Sequence, residues 1–217
     1  MSLTRRKARP LTRDHASLRD DRLFIVACDD TYAPKQYFGF FKLTRVQIHV
    51  VSSENGKSSS NHVLKQLLSF EHDEDDELWM LLDTDHYANG THLRTFRSTI
   101  KRAQRQGVNV ALSKPCFELW LLLHHLEESD VKLLEDAKKT EKKLRQVLGQ
   151  YDKTCLKQEH YPLESVLKAC KRAEKLDLDN DGDIPGGNTS RAYRLWKAIV
   201  AKALPSQLPP LLKELLP

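Results

Sequence analysis

Apolar runs and stretches of helical period alternate along the first 128 residues. Leu23–Cys28 (LFIVAC) is apolar throughout and is followed by Asp29 and Asp30. Val46–Val51 (VQIHVV) is rich in β-branched residues, Leu78–Leu82 (LWMLL) is continuously apolar, and Val108–Leu112 closes the set. Runs of this length and composition predict strands, and unbroken apolar character predicts burial on both faces, as inside a parallel sheet. Between them, Tyr32–Leu43, Asn61–Phe70, Thr91–Gln106 and Pro115–Glu127 read as helices. Pro34 is tolerated in a first turn, Thr91 is placed to cap a helix, and Gly107 is placed to end one. The order β-α-β-α-β-α-β-α predicts an α/β fold with a parallel, doubly wound sheet and right-handed crossovers.

Past Glu128 the pattern offers no further strand. Lys132–Leu148, Tyr161–Leu176 and Ser190–Leu204 read as amphipathic helices, and the Pro- and Leu-rich residues 205–217 could dock as a final short helix. Three parts follow: a basic flexible arm at 1–21, an α/β core at 22–128 and a helical C-terminal extension at 129–217.

Composition narrows the class. Apolar residues make up 40% of the chain, enough for a real core. No apolar run reaches membrane length and the basic N-terminus is not followed by a signal core, so a cytoplasmic protein without membrane contact is expected. The four cysteines have no CxxC spacing, which argues against a zinc site or a disulfide framework. Cys28 and Cys116 sit in apolar contexts and read as core packing. Of the net charge of +5, seven Arg/Lys and three Asp fall within residues 1–22. A basic arm can touch nucleic acid, or it can be a solvated terminus.

The candidate chemistry clusters at strand ends. Asp29 and Asp30 follow the first strand, and Asp83 and Asp85 follow the third. Residues two apart on an extended chain point the same way, so Asp83 and Asp85 can face one site. Paired oxygen donors of this kind suit a hard divalent cation such as Mg2+ or Mn2+. After the fourth strand come Lys114 and the helix bearing Glu118. In a parallel sheet these ends converge on one edge. An acid inside so apolar a helix as FELWLLLHH needs a ligand, a cation or a helix N-terminus, because burying it unpaired is costly. Capping, or pairing with Lys114, is the structural alternative.

His124, six residues beyond Glu118, fits a ligating role or a structural one. Lys153, in a break between helices, can reach a phosphate or sit in solvent. Asn188, Thr189 and Ser190 precede the last helix and offer an anion site, or a simple N-cap. Asp177–Ile184 (DLDNDGDI) has the alternating acids of a calcium-binding loop, but Pro185 follows at once and Asn188 stands where glutamate is needed. An acidic surface loop is the expected reading.

Lys114–His124 (KPCFELWLLLH) is similar to the signature block of RloB-like proteins. IVACDD and QYF within Ile25–Phe38 stand where that family has a strand, an acidic turn and an aromatic-starting helix. Asp83 and Asp85 occupy its aspartate pair, while Tyr151–Lys153 and Gly187–Ser190 resemble its YxK and NPST elements. The resemblance covers roughly Leu23–Leu204. It implies a Toprim-like parallel sheet flanked by helices, with a helical C-terminal extension. It also implies Mg2+ held by the strand-end carboxylates Asp29, Asp83 and Asp85, with Glu118 as a further catalytic group. Lys114, His124, Lys153, Asn188, Thr189 and Ser190 would hold substrate phosphate.

The implied activity is a metal-dependent nuclease acting on DNA or RNA in anti-phage defence by abortive infection, with an AAA-type ATPase partner. A homo-oligomer is compatible with this. Asp29-Asp30 replaces the family's Glu-Gly, and Ala33-Pro34 its Thr-Glu. The shorter acid reaches about one methylene less far, and a lost glycine changes how closely backbone can approach phosphate. The alternative implied is therefore an impaired module that binds nucleic acid, nucleotide or a phage component and signals to the ATPase.

Overall fold

The computed structural model describes residues 21–53, 58–87, 91–178 and 182–217. The basic arm therefore lies almost wholly outside the described residues, as do residues 54–57 of the Ser52–Ser60 loop and the side chain of Thr91. Strand and helix alternate as β1 (Arg22–Cys28), α1 (Ala33–Gly39), β2 (Val46–Val51), α2 (Ser60–Leu68), β3 (Glu77–Asp83), α3 (Thr91–Arg105), β4 (Asn109–Lys114) and α4 (Phe117–Leu123). Then come α5 (Glu128–Val131), α6 (Ala137–Leu148), α7 (Leu163–Leu176), β5 (Thr189–Ser190) and α8 (Ala192–Lys202).

The sheet order is β2-β1-β3-β4-β5, with β1 to β4 parallel and β5 antiparallel to β4. The protein is thus an α/β fold with a mostly parallel sheet flanked by helices. The chain steps from β1 outward to β2, then returns to β3 on the other side and continues to β4. That reversal opens a crevice between the carboxyl ends of β1 and β3, the usual place for a ligand in such a sheet.

Period-two alternation sorts the strands between two cores. Phe24, Val26, Cys28, Trp79 and Leu81 face a large core shared with α1, α4, α7 and α8. Ile25, Ala27, Leu78, Met80 and Leu82 face a smaller one closed by α2 and α3. Trp120, Trp196, Tyr37 and Tyr161 are fully buried in the first. Tyr37 meets Phe38, Phe117 and Trp120 edge-on, with centroids 5.1–6.1 Å apart. Cys28 and Cys116 are buried, as expected of packing thiols.

Several expected elements change length. The first helix stops at Gly39 rather than Leu43, and the fourth spans only Phe117–Leu123. The helix expected over Lys132–Leu148 begins only at Ala137, where the Asp136 side chain caps α6 by accepting from the Lys139 N–H, and α5 lies wholly before it. Gly107 ends α3 with φ +75°, the left-handed conformation glycine allows. Residues Pro210–Leu215 do dock as a 3-10 turn, burying Leu212 and Leu215. The β5 strand was not expected: two residues carry no period to read. No helix among the described residues is long and apolar enough to cross a membrane.

Candidate functional site

The carboxyl end of the sheet carries a pocket of about 350 Å3 lined by Asp29, Asp30, Asp83, Asp85, Glu118 and Lys153, with Glu141 of α6 closing one wall. Each acid is placed by a local feature. Asp29 and Asp30 leave β1 just past Cys28. Asp30 Oδ1 accepts from the Tyr32 and Ala33 N–H groups at 2.6 and 2.9 Å, which starts α1. Asp29 Oδ2 accepts from the Asp83 N–H at 3.0 Å, tying the β1 tip to that of β3.

Asp83 is the last residue of β3, and Asp85 already belongs to a 3-10 turn. The two do not lie on one extended segment. They meet in the pocket because the chain turns, with the Thr84 and Asp85 N–H groups both donating to the Pro115 carbonyl at 3.1 Å. Glu118 sits in the first turn of α4, only 8% exposed. The Tyr151 hydroxyl donates to its Oε1 at 3.0 Å.

These acids repel one another, and among the described residues they are short of counter-charge. Burial pushes Asp29 up to about 8, against the backbone hydrogen bonds that lower it. Burial, then the charges of Asp29 and Glu118, hold Asp83 well above the usual carboxylate range. Burial also raises Glu118, although Cys116 and Tyr151 hydrogen-bond to it. Burial works to lower the Lys153 ammonium, but the Asp30 and Glu118 carboxylates outweigh it and hold it above its ordinary value. Lys153 Nζ lies 3.6 Å from Asp30 Oδ2. Asp85 Oδ1 is buried without a hydrogen-bond partner, with His86 Nε2 3.7 Å away.

An orphaned carboxylate oxygen beside further desolvated acids is a donor set that fits a hard divalent cation. Among the described residues, no three His, Cys, Asp or Glu side chains yet stand close enough together to hold one. Side-chain rotation at Asp83 and Asp85 would have to complete the ligation.

The remaining residues singled out from sequence lie elsewhere. Lys114 follows the strand alternation to the opposite face of the sheet from Glu118, where Nζ donates to the Pro185 and Gly186 carbonyls at 3.3 and 2.7 Å. It neither pairs with Glu118 nor lines the acidic pocket. His124 sits at the far end of α4, buried, with Nε2 3.0 Å from the Tyr37 hydroxyl and Nδ1 2.6 Å from Ser165 Oγ. Burial holds it well below the ordinary imidazole range, so it is a neutral structural histidine. Asn188 Nδ2 donates to the Val131 and Leu134 carbonyls, fastening the segment between α5 and α6. Thr189 Oγ1 donates to the Ala173 carbonyl, and Ser190 Oγ bonds Ser113 Oγ at 2.8 Å. Both belong to β5, and Arg191 occupies the cap position of α8; Ser190 Oγ accepts from the Ala192 N–H at 3.4 Å, and Asn188, Thr189 and Ser190 do not line the acidic pocket.

The acidic run at 177–184 is not a plain surface loop. Asp177 is 2% exposed and bound to Arg191, Tyr193 and Arg194, which removes it as a first calcium ligand. Residues 179–181 lie outside the described residues. Lys114→Ala is expected to cost about 1 kcal/mol of stability, the worth of its hydrogen bonds. It is expected to leave divalent-cation affinity unaltered, as thermal melts and calorimetric titration would read.

Sequence reasoning did not single out Glu141. Its only signal is being the one acid among five Lys/Arg of α6. The role of Tyr151 as partner of Glu118 had no local signal, since the two are 33 residues apart.

A family model described as RloB-like protein matches residues 24–199, most of the chain. No curated protein matches, and no solved structure matches.

Proposed function

The chain belongs to the RloB-like family, and from that footing we propose that it is a divalent-metal-dependent nuclease of the Toprim kind. It would act in anti-phage defence together with an AAA-type ATPase. The observation that supports this most is the convergence of Asp29, Asp83, Asp85 and Glu118 on one pocket at the sheet's switch point, where Lys153 faces them. Asp83 and Asp85 would hold Mg2+ or Mn2+, and Asp29 would complete the set. A metal bound there would polarise a phosphoryl oxygen and stabilise the leaving oxygen. Glu118, held by Tyr151, would accept a proton from an attacking water, and Lys153 would meet the phosphate's charge.

Incubating the protein with labelled DNA and RNA should give cleavage that needs Mg2+ or Mn2+ and stops with EDTA. Intact substrate under every metal tried would end the nuclease reading.

A second reading, a binding module that has lost turnover, is favoured by one detail. Asp29 and Asp30, the residues standing for Glu-Gly, both spend a carboxylate oxygen on backbone N–H groups. Tight metal binding with no cleavage would select it.

The pocket also predicts a pH-dependent response to metal. A carboxyl whose pKa is higher folded than unfolded favours folding below the unfolded value of about 4. It loses that contribution as pH rises through its folded value, about 8 for Asp29. Buried His124 and half-buried His125, held low chiefly by burial, pull stability the other way. The difference between melts with and without metal isolates the carboxyls. Mn2+ is expected to raise the melting temperature more at pH 8 than at pH 5; an equal or smaller gain at pH 8 would contradict a carboxylate site.

A further inference from the structure

A second cavity lies farther along α6 from the acidic pocket. Ala137 and Glu141, in the first half of this helix, wall the acidic pocket. Arg145 and Leu148, in its second half, wall a cavity of about 430 Å3. The partition between the two is the Tyr151–Lys153 segment. Lys153 faces the acids, while Tyr151 and Asp152 face the second cavity. The hydrogen bond from the Tyr151 hydroxyl to Glu118 crosses this partition. Glu141 and Arg145 are one helical turn apart, about 6 Å along the axis.

The second cavity differs in chemistry from the first. Its floor is apolar, from Leu148, Tyr151 and Leu156, and its rim carries the cations Arg145 and Lys157 against the one acid Asp152. The whole of α6 carries five Lys/Arg and one acid. Arg145 is held by Glu141 at 2.7 Å, but an exposed i,i+4 pair of this sort is worth only a few tenths of a kcal/mol, so a phosphate can displace it.

An apolar slot with a cationic lip suits a nucleotide, the base on the floor and the phosphate at the rim. The base must be unpaired, because in a duplex its faces are covered by stacking and its pairing edge by its partner. We infer that this cavity holds one unpaired nucleotide of the substrate strand, next to the phosphate that sits at the carboxylates. The inference rests on reading the acidic pocket as the phosphodiester site, and it makes the substrate single-stranded at the point of action.

The test is fluorescence anisotropy with a labelled single-stranded oligonucleotide and the same sequence as a duplex, in EDTA and again with Mn2+. The wild-type protein should prefer the single strand by about tenfold or more, the size of one stacked base and its phosphate contact. In Arg145→Glu/Lys157→Glu, single-strand binding should fall about tenfold or more. The salt dependence should become shallower by about 1.4, for two lost phosphate contacts at about 0.7 each. Both side chains are exposed, so the variant should fold. Arg145→Gln/Lys157→Gln should show a smaller loss in the same direction, and Mn2+ binding should be unchanged in both.

Single-strand affinity and salt slope unchanged in the double variants would overturn the inference. So would a preference for duplex, or no binding by the wild-type protein. The two readings fail separately. Absence of cleavage with this binding pattern intact ends the nuclease reading and keeps the cavity. Cleavage without the pattern ends the cavity's role alone.

Discussion

Asp83→Ala is expected to abolish metal-dependent cleavage while making the metal-free protein more stable at pH 8. The two effects share one cause. Asp83 closes β3 between Asp29 and Glu118, and burial with those neighbouring charges already disfavours its ionised form. Removing it takes away a repulsion, so the metal-free melting temperature should rise. It also removes a ligand that the proposed cation needs. A metal in such a site contributes several kcal/mol to stabilising transition-state charge. At about 1.4 kcal/mol per factor of ten, its loss should lower the rate by about 100-fold or more.

Cleavage assays and melts on the same samples read both effects. A variant that cleaves like wild type removes Asp83 from the chemistry. A variant that is inactive but also less stable points to a structural role instead. Asp83→Asn sharpens the comparison, since it keeps the side-chain volume and removes only the charge. It should follow Asp83→Ala in activity, and its metal affinity should fall with it.

The alternating core was legible because strands buried on both faces read as continuous apolar runs, and LFIVAC and LWMLL do so without ambiguity. The placement of Asp29, Asp30, Asp83 and Asp85 at one end followed from strand polarity alone. Reading Asp83 and Asp85 as neighbours on an extended segment was the right outcome for the wrong geometry. The turn after Asp83, pinned by the Pro115 carbonyl, does what extension was expected to do.

What sequence could not show was which face a residue takes when its element is short or its partners are distant. Lys114 and Glu118 are four residues apart, but a strand end and a helix start intervene, and the strand's alternation sends Lys114 to the other side of the sheet. Asn188, Thr189 and Ser190 look like a helix entry in sequence. Their bonds to Val131, Ala173 and Ser113 depend on segments 16 to 77 residues away. His124 likewise depends on Tyr37 and Ser165, neither of which its own neighbourhood points to.

Distant partners also set the second large effect. Asp177→Ala is expected to cost about 3–5 kcal/mol of unfolding free energy, the usual penalty for leaving a buried charge without its partner. The Asp177 side chain is fully buried and that of Arg191 is 4% exposed. Arg191 reaches it through Nε at 3.0 Å and Nη2 at 3.1 Å, and Tyr193 and Arg194 add contacts at 3.0 and 2.9 Å. A carboxylate at the C-terminal end of α7 opposes that helix's dipole, so these donors offset an unfavourable placement as well as its desolvation. Arg191 meanwhile donates its N–H to the Leu112 carbonyl at 2.8 Å and Nη1 to the Gly182 carbonyl at 2.6 Å. The network therefore joins α7, the 182–183 loop and β4, and it seats β5 on the sheet edge.

Arg194→Ala should cost less, about 1 kcal/mol, because that side chain is 32% exposed and water can replace it. Replacing both members of the buried pair by apolar residues, Asp177→Leu with Arg191→Met, should recover much of the loss, since no charge is then left stranded. Chemical denaturation of the single and double variants measures each term. If Asp177→Ala costs under about 1 kcal/mol, the pair is behaving as an exposed one. The C-terminal helices would then owe their hold on the sheet chiefly to apolar packing.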